Sequence, residues 1–189
     1  MQKIIDDIWY RLVHINEKCK ALNLLYGDKD INEAWSHFKI LGLWYRDGFI
    51  VNLYVELRTL IDYRNDTINF RYLLSELEKN KNCKYSEERK MIDECYKGCK
   101  DFINQNITHK AKNVTINSFG YDDLKNIIEK LKLVLNKLSL EYNETSKLFD
   151  YIGTFSVKPI IKEFNKMLIS AHLKREKEKE RRRKELLGN

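Results

Sequence analysis

Apolar residues recur every three or four positions along most of this chain, a spacing that places them on one face of an α-helix. The pattern predicts helices over about residues 2–25, 31–62, 69–79, 86 into 102–112, 122–142 and from 158 onward. The 189 residues include only 7 Gly and 1 Pro, so few positions interrupt helices or favour the turns of a β fold. We therefore predict an all-α helical bundle.

The helix predicted over 31–62 is apolar on more than one side. The residues responsible are Trp35, Phe38, Leu41, Trp44, Tyr45, Val51, Tyr54, Val55 and Leu57. A helix of this kind is typical of the centre of a bundle, or of an element with a second face for a partner subunit. Both interpretations stay open at this point.

Polar residues before the predicted helices supply their caps. Asp66 or Thr67 is expected to cap the helix over 69–79, because a short polar side chain can accept from the free amides of a first turn. Pro159 fits the first turn of the last helix. The apolar stripe of that helix consists of Ile160, Ile161, Phe164, Met167 and Leu168.

The helix that begins near residue 86 leads into a stretch of unusual composition. Its apolar stripe consists of Ile92, Cys95, Tyr96, Cys99, Phe102 and Ile103. Continued at the same spacing, this face reaches Asn106 and His109, an amide and an imidazole where apolar residues would be expected. His109 is then either a hydrogen-bonded histidine near a helix C-terminus, where the dipole favours a cation, or a residue with a chemical role.

Positive charge is concentrated near the C-terminus. The net charge of the chain is +7, and residues 174–185 supply +4 of it with eight Lys and Arg against four Glu. We predict a bundle over 1–171 followed by a basic, charged helical tail over 172–189. Alternating Lys and Glu over 174–180 are typical of a solvated helix, whereas 181–184 is unbroken positive charge that suits a polyanion.

The cysteines do not form a recognisable metal site. Cys95 and Cys99 share a helix face, but the sequence has no second cysteine pair or spaced histidine pair to complete four ligands. We expect them to be buried, reduced thiols. We predict no metal and no other cofactor.

The N-terminus lacks a basic region followed by an apolar run, and no segment approaches 18 continuous apolar residues. Neither secretion nor membrane spanning is therefore expected. We predict a cytoplasmic protein without a membrane partner.

Two pairs of segments resemble a known family. Residues 55–62, Val-Glu-Leu-Arg-Thr-Leu-Ile-Asp, and 67–74, Thr-Ile-Asn-Phe-Arg-Tyr-Leu-Leu, are similar to the leucine-rich pattern of AbiU-type abortive-infection proteins, members of the HEPN superfamily of small helical bundles. Residues 104–110, Asn-Gln-Asn-Ile-Thr-His-Lys, and 120–124, Gly-Tyr-Asp-Asp-Leu, stand where that family has a histidine motif and the next helix start. The resemblance covers about residues 31–142.

The resemblance implies an HEPN-like bundle and a site for RNA cleavage. Many HEPN proteins are metal-independent endoribonucleases whose arginine and histidine motifs meet across a dimer cleft. His109 matches the histidine, which would move a proton between the ribose hydroxyl and the leaving oxygen. The arginine is missing, because positions 102–104 are Phe-Ile-Asn. Asn104 can donate to a phosphate but brings no charge.

The neighbours of His109 would complete the site that the resemblance implies. Lys110 and Lys112 are candidate phosphate contacts, although lysine is a poorer bidentate donor than arginine. Gln105 and Asn106 lie one turn before the histidine. They are candidate contacts to phosphate or base.

Three functional hypotheses follow. The first, implied by the resemblance, is a toxin-type abortive-infection protein of bacterial antiphage defence, a metal-independent endoribonuclease with a degenerate motif. The second is a catalytically inactive HEPN module that binds RNA, a nucleotide or a partner protein. The third places the function in the basic tail, as a contact to nucleic acid or an acidic partner. The first two predict a C2 homodimer, with an antitoxin or another defence protein as a further candidate partner.

Overall fold

A computed structural model of the chain describes residues 1–26, 39–64, 66–103, 121–149 and 157–188. Every regular element in these ranges is an α-helix, and the all-α prediction is confirmed. The helices are α1 (Gln2–Tyr26), α2 (Lys39–Ile61), α3 (Phe70–Lys81), α4 (Ser86–Ile103), α5 (Tyr121–Asn143) and α6 (Val157–Leu187).

The observed bounds follow the hydrophobic pattern closely. α1, α5 and α6 begin within one residue of the predicted positions. The beginning predicted for the second helix, at 31–38, lies outside the described residues, and α2 is described from Lys39. On the described turns of α2 the buried residues lie on one broad face, while Val55 is 46% exposed.

The cap of α3 differs from the prediction. Asn69, and not Asp66 or Thr67, is the N-cap, and its side-chain oxygen accepts from the Tyr72 amide. The Thr67 hydroxyl instead accepts from the Asn69 side-chain amide at 3.2 Å. Asn69 itself has an extended backbone, and its side-chain amide also donates to the Arg64 carbonyl in the turn before it. The far end of α3 is closed by Asn82, which has a left-handed backbone.

The described residues belong to two units. The first comprises Met1–Cys19 and Phe49–Tyr151, and the second comprises Lys20–Gly48 and Ile152–Asn189. α6 is one continuous helix through positions 171 and 172, where the sequence analysis separates bundle from tail. The predicted division at 171 stays a prediction.

The first unit is a helical bundle with an aliphatic core. Its fully buried side chains come from α1 to α5 and include Ile5, Leu12, Leu57, Leu60, Leu73, Leu77, Ile92, Leu131 and Leu138. After α5 the chain crosses α1, where the Trp9 indole donates to the Leu148 carbonyl at 2.7 Å. The Asn16 amide donates to the Phe149 carbonyl at 3.2 Å. These two bonds hold the segment that follows α5 against α1.

α4 and α5 form an antiparallel pair with a regular register. Glu94 pairs with Lys130 at 3.1 Å. Closer to the start of α4, Glu88 pairs with Lys137, which lies closer to the end of α5. In the other direction, a Cβ placed on Gly98 would lie 3.5 Å from the Ile127 side chain. Each residue nearer the end of α4 thus faces a residue correspondingly nearer the start of α5. The same register sets residues near 102 level with residues near 123.

In the second unit, α6 exposes part of the apolar stripe predicted from the sequence. Phe164 is 41% exposed and Met167 is 69% exposed, so membership of the predicted stripe does not bury these two side chains. The half-buried side of α6 lies around Ile169 and His172 instead. Hydrophobic spacing identifies an apolar face, but it does not say which face has a neighbour.

The pair between Glu88 and Lys137 makes stability depend on pH. Glu88 is 5% exposed. Burial alone would raise its pKa, but hydrogen bonds from Lys137 and from its own backbone amide outweigh burial, so the pKa lies below its ordinary value of 4.5. A lowered carboxyl pKa contributes stability that is complete above about pH 5 and is lost as pH falls through the folded pKa.

We therefore expect Glu88→Gln to lower the free energy of unfolding at pH 7 and to flatten its decline between pH 5 and pH 3. Urea denaturation at a series of pH values measures both effects. Glu87→Gln is the matched control, because Glu87 is an exposed neighbour in the same turn. Parallel pH curves for Glu88→Gln and the native protein would contradict the assignment.

Candidate functional site

The six predicted site residues all lie in 104–120, outside the described residues. They are Asn104, Gln105, Asn106, His109, Lys110 and Lys112. Their proposed contacts therefore stay predictions. The structure describes both flanks of this segment, and these flanks determine how the segment is attached to the bundle.

The preceding flank is the C-terminal half of α4. Its predicted apolar face is confirmed, since Ile92, Cys95, Cys99 and Ile103 are all buried. Burial raises the pKa of Cys95 to about 11 and that of Cys99 to about 12. A thiol with so high a pKa is neutral at physiological pH and is a poor nucleophile or metal ligand. Both cysteines act as small apolar core residues, as predicted.

An aromatic stack fixes the last turn of α4. The rings of Tyr54 in α2 and Phe102 lie 3.9 Å apart between centroids, with an interplanar angle of 21°. Tyr54 is 1% exposed, so this contact is made within the core. Stacked rings add to the free energy of burial that each ring supplies. The chain is thus anchored two residues before Asn104.

The flank after the segment is the first turn of α5, which begins at Tyr121. Burial raises the pKa of Tyr54, and the negative charges of nearby groups, among them Asp123 in the first turn of α5, raise it further. The register of α4 and α5 independently places Asp123 level with residues near Phe102. The two described flanks of 104–120 therefore lie at the same end of the α4 and α5 pair.

Arg58 is a cation on this side of the bundle that the sequence analysis did not assign to the site. It lies one turn after Tyr54 in α2 and is exposed. Its charge acts on the Cys99 thiol, where it partly opposes the effect of burial on the pKa. Arg58 forms no ion pair within the described part of the chain.

A second polar cluster lies at the turn between α2 and α3, within the segments that carry the family resemblance. Asn69 is fully buried. Its side-chain amide donates to the Arg64 carbonyl at 2.8 Å and to the Asp62 carboxylate at 3.4 Å. With its oxygen on the Tyr72 amide, Asn69 has a partner for each polar atom and holds the turn closed.

Arg71 joins this turn to α4. Its Nε donates to the Ile61 carbonyl at 3.1 Å, and its guanidinium pairs with Asp93. The guanidinium also lies 3.7 Å from the ring centroid of Tyr63, whose hydroxyl donates to Asp93 at 3.1 Å. The charge of Arg71 is engaged on several sides. We conclude that it fixes the corner and is not available to a phosphate.

The charge state of Asp93 agrees with this arrangement. Burial would raise the pKa of its carboxyl, but hydrogen bonds from Arg71 and Tyr63 outweigh burial and lower the pKa. Asp93 is therefore ionised at neutral pH. This pairing of charge and aromatic ring within one corner is a stabilising contact.

Other kinds of site find no support in the described ranges. No group of three or more His, Cys, Asp or Glu side chains is placed there to hold a metal ion. Among the helices in those ranges, none has the length and apolar character required to cross a membrane. Comparison with known proteins gives no match to a family model, a curated protein or a solved structure.

Proposed function

We propose that this chain is an HEPN-like protein of the abortive-infection type, an endoribonuclease-like effector of antiphage defence whose working segment is 104–120. The observation that carries the proposal is the anchoring of α4 by the stack of Tyr54 on Phe102. A reactive histidine needs a firmly held support, because misplacement by about 1 Å can cost about 10² in rate. The all-helical fold is compatible with the proposal.

The chemistry of the segment suits phosphodiester cleavage without a metal. In the proposed mechanism His109 takes the proton of a ribose 2′-hydroxyl and returns it to the leaving oxygen. Asn104 donates to the scissile phosphate, and Lys110 and Lys112 supply positive charge close to it. Gln105 and Asn106 contact the base or phosphate. Because Asn104 stands where the family has arginine, we expect slow cleavage.

The runner-up proposal is a catalytically inactive HEPN module that binds RNA, a nucleotide or a partner protein. The missing arginine favours it, since the cation that would neutralise developing charge is absent from positions 102–104. Both proposals include a C2 homodimer, in which the segments of two subunits form one cleft. An antitoxin or another defence protein is the expected partner of either form.

RNA cleavage in the presence of EDTA tests the proposal. We expect the native protein to cleave total cellular RNA slowly and His109→Ala to show only background cleavage. The matched control is His14→Ala, because His14 is an exposed histidine of α1 whose ring contacts Tyr10 at 4.4 Å. That control is expected to retain the native rate.

Three results would argue against cleavage by His109. Equal rates for the native protein and His109→Ala would assign the activity to other groups or to a contaminating nuclease. Equal losses in His109→Ala and His14→Ala would indicate a general effect of removing an imidazole. Absence of cleavage combined with RNA binding would favour the inactive module.

A further inference from the structure

α6 carries most of the net charge of the protein. Its 31 residues include eleven Lys and Arg against five Glu, a net charge of +6, while the whole chain has +7. The remainder of the chain is therefore close to neutral. Charge concentrated on one helix creates a local positive potential that attracts polyanions.

The charges of α6 are arranged in faces. Lys174, Lys177, Arg181 and Lys184 are spaced i, i+3, i+7 and i+10, which places them on one side of the helix. All of them are exposed. At 1.5 Å per residue this basic stripe is about 15 Å long. The side chains thus form a straight row of cations separated by about one helical turn each.

Ion pairs neutralise the other basic face more completely. Lys179 pairs with Glu176 at 2.7 Å and Arg182 pairs with Glu178 at 3.1 Å. In the basic stripe, Arg181 pairs with Glu178 at 2.9 Å and more loosely with Glu185 at 3.8 Å. The three lysines of the stripe form no ion pair within the described part of α6. Exposed pairs of this kind are worth little, so Arg181 can exchange its partner for another anion.

The spacing of the basic stripe suits a phosphate backbone. Successive phosphates of one strand of B-form DNA advance about 3.4 Å along the helical axis, so a row of about 15 Å matches about four such steps of a phosphate backbone. A membrane surface fits less well, because an interfacial helix needs an apolar face beside its charges. Between 174 and 184 every residue of α6 is charged. The exposed apolar residues of α6, such as Phe164 and Met167, lie outside this range, so the stripe itself has no apolar residue among its cations.

We propose that the basic stripe of α6, formed by Lys174, Lys177, Arg181 and Lys184, binds the phosphate backbone of RNA without sequence preference. Each cation contacts one phosphate, and binding releases the counterions condensed on the RNA. This role is independent of RNA cleavage by His109. It includes Lys174 and Lys177, which sequence alternation alone assigns to a solvated helix, because the helical geometry places them in line with Arg181 and Lys184.

The test compares two variants of equal charge. The stripe variant is K174Q/K177Q/R181Q/K184Q, and the matched control is R175Q/K179Q/R182Q/R183Q, which removes four exposed cations from the remainder of the same segment. Both are made in the full chain with His109→Ala, so that cleavage does not affect the result. Binding to a fluorescein-labelled single-stranded RNA is followed by anisotropy between about 50 and 200 mM salt.

Four phosphate contacts predict a slope of about −3 for the logarithm of the association constant against that of salt concentration. From these four contacts, the affinity of the parent protein for RNA should therefore fall roughly 50-fold between about 50 and 200 mM salt. We expect the stripe variant to bind more weakly, with a slope smaller in magnitude by about 3, and any remaining slope reflects the proposed phosphate contacts of Lys110 and Lys112. The control variant should keep most of the slope. Circular dichroism verifies that both variants remain helical, as expected because glutamine is a good helix former.

Several outcomes would overturn the proposal. Absence of RNA binding by the parent protein, or an unchanged slope in the stripe variant, would exclude the stripe as the contact. Equal losses of RNA affinity in both variants would show that binding depends on net charge and not on one face of α6. Displacement of RNA by polyglutamate at equal charge concentration would assign the stripe to an acidic protein partner. Tighter binding to anionic lipid vesicles than to RNA would assign it to a membrane surface.

Discussion

Replacement of Asn104 by arginine is expected to accelerate metal-independent RNA cleavage by about 10²–10³-fold, the reverse of the loss that follows removal of one preorganised donor. Arginine would bring a permanent charge and a planar fork that matches two phosphate oxygens. The position follows directly after Ile103, which is buried at the end of α4. The substituted position therefore comes directly after an anchored helix in the chain. Single-turnover rates on a defined RNA, with EDTA present, measure the effect.

Two further variants show whether the gain belongs to the proposed chemistry. Asn104→Lys adds the same charge without the fork, and we expect a smaller acceleration from it. Adding His109→Ala to Asn104→Arg should return the rate to background. An Asn104→Arg protein that folds normally but cleaves no faster would instead identify a binding module, because restoring the cation would then have no proton transfer to assist.

Replacement of Asn69 by alanine is expected to lower the free energy of unfolding by about 3 kcal/mol. Loss of the N-cap of α3 contributes about 1 kcal/mol. The Arg64 carbonyl would also lose its donor inside the turn, and an unsatisfied buried group costs about 1–3 kcal/mol. Asn69 is fully buried, so water cannot easily replace its bonds. Urea denaturation measures the change.

The design separates the cap from the other bonds of Asn69. Asn69→Ser keeps an acceptor for the Tyr72 amide but removes the amide donor, so its cost should lie between zero and that of alanine. Asn80→Ala is the surface control, because Asn80 is exposed and donates only to the Glu76 carbonyl, at 2.7 Å. We expect that control to change stability by less than about 0.5 kcal/mol. A similarly small effect for Asn69→Ala would contradict the network described here.

The helices were predictable because their apolar residues repeat at the helical period. Cys95 and Cys99 illustrate this, since i, i+4 spacing on an apolar face was enough to predict their burial. The role of Asn69 was not predictable in the same way. Its partners include Asp62 and Arg64, which are reached only when the intervening residues fold back. A buried amide is stable only with such partners, and sequence spacing does not identify them.

Tertiary contacts also limit what the sequence says about the candidate site. Motif positions identify His109 and its neighbours, but the stack of Tyr54 on Phe102 joins residues from two helices and has no local signal. The same limit applies to α6. Its periodicity places Phe164 on an apolar face, yet that residue is 41% exposed. Burial depends on which helix lies opposite, and periodicity contains no information about that.

The register of α4 and α5 bears on how this protein can evolve. The flanks of 104–120 make contacts that do not involve that segment, so a change in its length would leave those contacts in place. For an unstructured insert, doubling the length between two fixed ends costs only about 0.6 kcal/mol in closure entropy. The residues between α4 and α5 can therefore change in type and number during evolution while the two helices keep their sequence and packing.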